Sequence, residues 1–146
     1  MTGIRIFQIE FGTPEYDETV RLRDDVLRKP LGLSFTAEQL AAEYNSLHLI
    51  ATDAAGRLIA CLILAPGSAA EIKMRQVAVH PDLQGRGVGT ALVQAAEALA
   101  SEAGFREMVL HARETAVAFY RKLGYLTEGD RFEEVRIPHF KMRKML

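Results

Sequence analysis

The chain has 146 residues, enough for one domain with a single core and no need of disulfides or metal for stability. Hydrophobic residues make up 49% and charged residues 25%, a globular balance that excludes disorder. The formal net charge of −1 leaves no basic field for nucleic acid or a polyanionic membrane surface, so any bound anion must be held locally.

Met1-Thr2-Gly3-Ile4-Arg5 lacks the basic-then-apolar layout of a signal peptide. No apolar stretch approaches the roughly 18 residues needed to span a membrane, so the expected location is the cytoplasm. Ile4, Ile6, Phe7, Ile9 and Phe11 predict an opening strand that ends near Gly12-Thr13-Pro14. Thr13 is placed to cap a helix with Pro14 at its first position. That helix should run to about Arg28, with Tyr16, Val20 and Leu27 on one side and Arg21, Arg23, Asp24 and Asp25 mostly solvated. Pro30, Gly32 and Ser34 break it, and Thr36-Ala37-Glu38-Gln39 opens a second short helix, to Tyr44, in the manner of a cap.

Strands follow at Leu47 to Thr52 and Arg57 to Leu64, joined by a hairpin-length turn containing Gly56. The single cysteine, Cys61, lies in the second of these apolar runs and reads as a core thiol, not a nucleophile. After Pro66-Gly67-Ser68, the strand Glu71 to Val79 should place Lys73, Arg75, Val77 and Val79 on one face. Ile72, Met74, Gln76 and Ala78 should take the other. A glycine-rich loop then leads into a long helix to about Ala103, carrying Val88, Leu92, Ala95, Ala96 and Leu99 at helical spacing and ended by Gly104. Met108-Val109-Leu110 is a short strand, Glu114 to Leu123 a helix stopped by Gly124, and the tail supplies one or two strands. The order is mixed α/β, with no repeat or linker to divide residues 1–146 into further domains.

The loop reads Gln84-Gly85-Arg86-Gly87-Val88-Gly89-Thr90. Alternating glycines let successive N–H groups point into one concavity, and the following helix adds free N–H donors and its positive dipole end. This is an anion site that needs no net positive charge. A phosphate loop of the Walker type would need a lysine before Thr90, and a dinucleotide fingerprint would need one more residue between its last two glycines.

Gln84 to Gly89, the preceding Gln76-Val77-Ala78-Val79 and His80-Pro81, and the later Phe119-Tyr120-Arg121-Lys122-Leu123-Gly124-Tyr125 together resemble the GNAT family of N-acetyltransferases. The resemblance covers roughly Glu71 to Tyr125. It implies an α+β fold with a mixed, mostly antiparallel sheet of six to seven strands, about four helices, and a splay at the cofactor site. It also implies acetyl-CoA as cosubstrate, no metal, and transfer of the acetyl group to a primary amine of a small molecule or peptide. The cofactor's pyrophosphate would sit on backbone N–H groups of Gln84, Gly85, Arg86, Gly87, Val88, Gly89 and Thr90. Its pantetheine arm would pair with main chain at Val77, Ala78 and Val79, and a backbone N–H near Val79 would polarise the thioester carbonyl.

Tyr120 matches the family's general acid; a buried tyrosine with a packing role is the competing reading. Glu43, His48, Glu71, His111, Glu134 and His139 are candidates for the base, and Glu71, which opens the strand leading to the cofactor site, is preferred. Many relatives carry asparagine seven residues before the tyrosine, where this chain has Arg113. The segments Arg21 to Leu27 and Phe132 to Met142 are loosely similar to small ElaA-like members, which favours a stand-alone bacterial enzyme. Homodimers occur among such proteins, although no segment announces an interface. A non-catalytic acetyl-CoA-binding module of the same fold, or an unrelated nucleotide-binding domain, are the alternatives.

Overall fold

The computed structural model describes residues 3–68 and 70–146; Met1 and Thr2, on which the reading of the amino terminus also rests, lie outside them. Strands β1 (Arg5–Ile9), β2 (Leu47–Thr52), β3 (Leu58–Pro66), β4 (Glu71–Val79), β5 (Glu107–Arg113), β6 (Leu126–Glu134) and β7 (Ile137–Met145) form one sheet in the order β1-β2-β3-β4-β5-β7-β6. Every neighbouring pair is antiparallel except β4 and β5. Helices α1 (Pro14–Arg23), α2 (Ala37–Ala41), α3 (Val88–Glu102) and α4 (Val117–Lys122) complete the expected set of strands and helices.

The parallel pair decides the shape of the site. Its register runs from Glu71↔Glu107 to Met74↔Leu110 and stops, so the later halves of β4 and β5 diverge. β5 instead continues along β7 as far as Arg113↔His139. The two halves of the sheet therefore part down the middle, and no side-to-side pairing closes the gap.

Helix α3 covers one face. Val88, Leu92, Val93, Ala96 and Ala100 recur at helical spacing and are buried against Leu62, Leu64, Ile72, Met74, Met108 and Met142 of the sheet. A side chain such as Leu92, fully buried, contributes roughly 1.5–3 kcal/mol in area terms. On the other face Leu22 packs with Ile50, Cys61 and Ala78, so the cysteine is a core thiol, its pKa pushed by burial up to about 12.

Two expectations are corrected here. The face alternation of β4 does not run through: Gln76 adopts φ 55° and the pairing with β3 jumps from Ile63↔Arg75 to Cys61↔Ala78. This bulge sets two residues of β4 against one of β3 and reverses the faces beyond it. Val77 and Val79 therefore pack with Ile72 and Met74 toward α3, while Ala78 joins the opposite core. Gln76 has no helix-breaking or turn signal of its own, so alternation concealed it.

The second correction is Arg23, which is not solvated but fully buried at 0% exposure. Thr13 caps α1 as expected, its Oγ1 accepting from the N–H of Tyr16. After Arg23, however, the helix widens into a π-turn over Asp24–Arg28, and Pro30, lacking an N–H, follows in a short 3-10 turn. Arg23 donates to both carboxylate oxygens of Glu43 at 2.9 Å, and Tyr16 Oη donates to Oε1 of the same group at 2.7 Å. Phe35 lies against the Arg23 guanidinium, 4.7 Å from the ring centroid. The partner lies 20 residues away, beyond the reach of helical spacing.

His48 closes this cluster, its Nε2–H donating to the Glu43 carbonyl at 3.0 Å. Burial, aided by the nearby Arg23 charge, holds its pKa below the ordinary 6.5, against the pull of Glu43. The unfolded chain therefore binds the proton first. His48 contributes stability that is present above about pH 6.5 and lost as pH falls below it, at no more than about 1.4 kcal/mol per pH unit. Urea titrations between about pH 7 and pH 5 should show this slope, and His48→Gln should flatten it. An unchanged slope in the variant would remove His48 as its source.

Candidate active site

The gap between β4 and β5 opens into a cavity of about 410 Å³. Its walls come from β4 (Lys73 to Val77), β5 (Leu110 to Arg113), the π-turn (Leu27, Arg28), Tyr120 of α4, and Glu134, Val135 and His139 at the β6–β7 hairpin. That hairpin turns in two residues, Val135 and Arg136, both at positive φ (46° and 64°), the geometry of the tight turn that matches strand twist. Neither is glycine, so the turn is strained where it meets the cavity.

The open edge of β4 follows from its ladder. His80 N–H bonds Ile59 O at 2.8 Å, so the alternation of antiparallel bonds makes Ala78↔Cys61 a bonded pair. The N–H and C=O of Val79 then point away from β3, into the gap, and Val77, in the bulge, lines the cavity there. Val79 O already accepts from Gln84 Nε2 at 3.1 Å, which ties the start of the glycine loop to the strand. The N–H of Val79 is left for a ligand to pair.

Beyond Val79 the chain passes through a short 3-10 turn at Pro81–Leu83 into the loop. Gly85 and Gly87 hold φ of 77° and 83°, which a side chain would resist. Gly87 occupies the cap position of α3 with no side chain to bond the first-turn N–H groups, so those donors stay open. Gly89 differs: its φ is ordinary, and a Cβ there would come into van der Waals contact with Phe119 Cζ at 3.4 Å. Gln84, Gly85, Arg86 and Gly87 are exposed, Gly89 and Thr90 partly so, and Val88 anchors the loop in the core. These residues make a cradle of backbone donors that, with the outward N–H of Val79 across the short 3-10 turn, fits an extended chain ending in a pyrophosphate.

Tyr120 reaches the cavity from α4. Its ring packs edge-on against Phe119 and Tyr125, at 5.0 and 5.7 Å, and burial pushes its pKa up to about 12. No hydrogen-bond partner for its hydroxyl exists among the described residues. Tyr125 differs: its hydroxyl donates to Glu97 Oε2 at 2.8 Å, tying α4's end to α3.

The six candidate bases sort into three places. Glu43 and His48 belong to the buried Arg23 cluster, apart from the cavity. Glu71 does not join Tyr120: it lies outside this cavity, at the start of β4, with Arg143 Nη1 2.8 Å from its carboxylate. His111, Glu134 and His139 come together in the cavity wall. His111 Nδ1 lies 3.1 Å from Glu134 Oε1, and His139 Nε2 lies 3.6 Å from Glu134 Oε2. Phe132 packs between the imidazoles, 5.0 and 5.9 Å from them. Burial works against the charge of Glu134, but the hydrogen bond and charge of His111, with His139 and Lys73, hold its pKa below the ordinary range. Lys73 Nζ also lies 3.3 Å from His111 Nδ1. That nitrogen either donates to Glu134 or accepts from Lys73, and donation leaves Nε2 bare.

Arg113, in the position where asparagine was expected, ends β5 and donates from Nη2 to Leu27 O at 3.2 Å, bridging the cavity mouth. No helix among the described residues is long and apolar enough to cross a membrane, and those residues hold no cluster of metal-ligating side chains.

A sheet split between parallel strands, with a glycine loop feeding a helix at the split, is the arrangement that comparison with known proteins places in a family of transferases. Residues 27–146 match the sequence model of the acetyltransferase (GNAT) domain, and the chain belongs to that family. It is 33% identical over 73 residues to the uncharacterized N-acetyltransferase YjcF of Bacillus subtilis, covering 49% of this chain and 52% of that one. The chain spans about half the length of most of the curated relatives it matches. The crystal structure of Escherichia coli ElaA superposes with a TM-score of 0.82 at 17% identity, over 97% of this chain and 99% of that one. A GNAT family acetyltransferase from Elizabethkingia anophelis, solved with acetyl-CoA bound, gives 0.77 at 18% identity over 100% of both chains. At these identities the structures share the fold.

Proposed function

We propose that the chain forms one acyltransferase domain that moves an acetyl group from acetyl-CoA to a primary amine of a small molecule or peptide, by direct attack, in the cytoplasm. The observation that supports it best is the pairing of two features at the split in the sheet: open backbone donors at the start of α3, and a cavity lined together by Val77, Tyr120, His111 and Glu134. The family neighbour with acetyl-CoA bound supports the cosubstrate. Acetyl-CoA supplies the activated acyl thioester.

In this reading the N–H groups of Gln84 to Thr90 hold the pyrophosphate, and the main chain at Val77 and Val79 aligns the pantetheine arm as an added strand, without Ala78, whose N–H and C=O face Cys61. The Val79 N–H is the donor placed to polarise the reacting carbonyl. An amine arrives as its ammonium, near pKa ~10.4, and must lose a proton before it can attack. His111 takes that role in place of Glu71: Glu134 accepts from its Nδ1–H and leaves Nε2 as the acceptor. Tyr120 returns a proton to the departing sulfur. A phenol at about 12 is far above an ordinary thiol near ~8.5, a gap of roughly 5 kcal/mol in water. The burial that raises the phenol also raises a thiol in the same cavity, which narrows the gap where transfer occurs.

Incubation with acetyl-CoA and a panel of primary amines, followed by thiol release and by the mass of the product, tests the reading. One acetylated amine at catalytic turnover is the expected result. Coenzyme A binding with no product from any amine would make the chain a non-catalytic acetyl-CoA-binding module.

A further inference from the structure

The charge of the cavity is not that of the chain. Against a net charge of −1 overall, its wall carries Arg28, Lys73, Arg75 and Arg113, opposed by the single carboxylate Glu134. Glu134 is already engaged by His111 and His139. The other acids on this part of the sheet, Glu71, Glu107 and Glu128, converge on Arg143 outside the cavity. Among the described residues none of the four cavity cations makes an ion pair. Arg113 donates to the Leu27 carbonyl, Lys73 meets His111, and Arg28 lies over the Phe35 ring at 4.4 Å.

The cations also act on one another. Burial lowers the pKa of Arg28, and the charges of Arg23, Arg75 and Arg113 lower it further, with Asp24 opposing. Burial and the charges of Arg75 and Lys141 do the same to Lys73, with Glu134 opposing. Clustered positive charge of this kind is a standing cost to the fold unless something negative enters. The coenzyme's pyrophosphate is not that partner, because no residue of the loop from Gln84 to Thr90 lines this cavity.

We propose that the acceptor is an amine that also carries an anionic group, a carboxylate or a phosphate, and that Arg28, Lys73, Arg75 and Arg113 bind that group while the amine faces His111. The anion is held and not transformed. The proposal rests on the acetyl-transfer reading only for the word acceptor; the anion preference is a binding property of the cavity. It disfavours polycationic acceptors, which the overall charge of the chain would have allowed.

Calorimetry on the full chain, with and without saturating coenzyme A, tests it with matched pairs: β-alanine against propylamine for the carboxylate, O-phosphoethanolamine against ethanolamine for the phosphate, and putrescine as a dication. At least one anion-bearing member should bind about tenfold or more tightly than the counterpart that lacks the anionic group, and putrescine should bind no better than propylamine. Arg75→Gln, at an exposed position with no structural bond, should erase most of that preference. Raising salt from about 50 mM to about 300 mM should weaken it in the parent protein. Equal binding within each pair, tighter binding of putrescine, or an undiminished preference in both Arg75→Gln and Arg28→Gln would overturn the proposal. Thiol release on the same amines is scored separately: anion-selective binding without turnover leaves this inference standing and counts against acetyl transfer.

Discussion

Tyr120→Phe should lower kcat by about 10²–10⁴-fold while leaving acetyl-CoA affinity within about twofold. The substitution keeps the ring and its edge-on contacts with Phe119 and Tyr125, and removes a hydroxyl that has no hydrogen-bond partner among the described residues. Stability should accordingly stay within about 0.5 kcal/mol of the parent. Tyr125→Phe is the matched control. It breaks the bond to Glu97 and should reduce stability by about 1 kcal/mol with little change in kcat. Steady-state kinetics and thermal unfolding on the two variants separate a proton donor from a packing tyrosine. Full activity in Tyr120→Phe would leave Tyr120 as core alone.

Glu43→Ala should be among the most destabilising single changes in the chain, at about 3–5 kcal/mol. It strands the Arg23 guanidinium at 0% exposure and takes the acceptor from Tyr16 Oη as well. For a chain of this length that corresponds to a fall in Tm of the order of 10 °C. The pair Arg23→Met with Glu43→Leu should be much milder, because the cost lies in an uncompensated charge and not in a lost contact. Denaturant unfolding of the single and double variants decides the matter. A single-variant loss below about 1 kcal/mol would show that water relaxes into the site and screens Arg23. The cluster also carries the π-turn that brings Leu27 and Arg28 to the cavity, so Glu43→Ala should loosen acceptor binding before it affects the loop.

Features written in consecutive residues were legible from the sequence. The loop from Gln84 to Thr90, the Thr13 and Thr36 caps, the glycine at the end of α3, and Phe119-Tyr120 at the end of α4 depend on local backbone chemistry. Each was read in place. The sheet's split was legible only through family resemblance, because the end of β4–β5 pairing at Met74↔Leu110 is set by the Gln76 bulge and by β7 claiming the rest of β5. Arg23 ends α1 and Glu43 lies in the turn after α2, and a helical-face argument placed Arg23 in water. Glu71 was favoured because it opens the right strand, but β4 carries its first residue away from the cavity. His111, Glu134 and His139 were each visible as candidates, but only the β5–β7 and β6–β7 registers bring them together. The cavity's positive charge had no sequence signature at all, since its cations come from the π-turn and two separate strands.

The most direct test is a thermal-shift titration of the full chain with acetyl-CoA, coenzyme A, ATP and NAD side by side. Acetyl-CoA at about 100 times its dissociation constant should add about 2.7 kcal/mol to the native state, a rise of several degrees. Coenzyme A should do the same at its own saturation, because the loop and the β4 edge contact parts common to both. ATP and NAD should leave the midpoint unchanged. A rise with ATP or NAD in place of the coenzyme A forms, or no rise with either form, would contradict an acetyl-CoA site between β4 and β5.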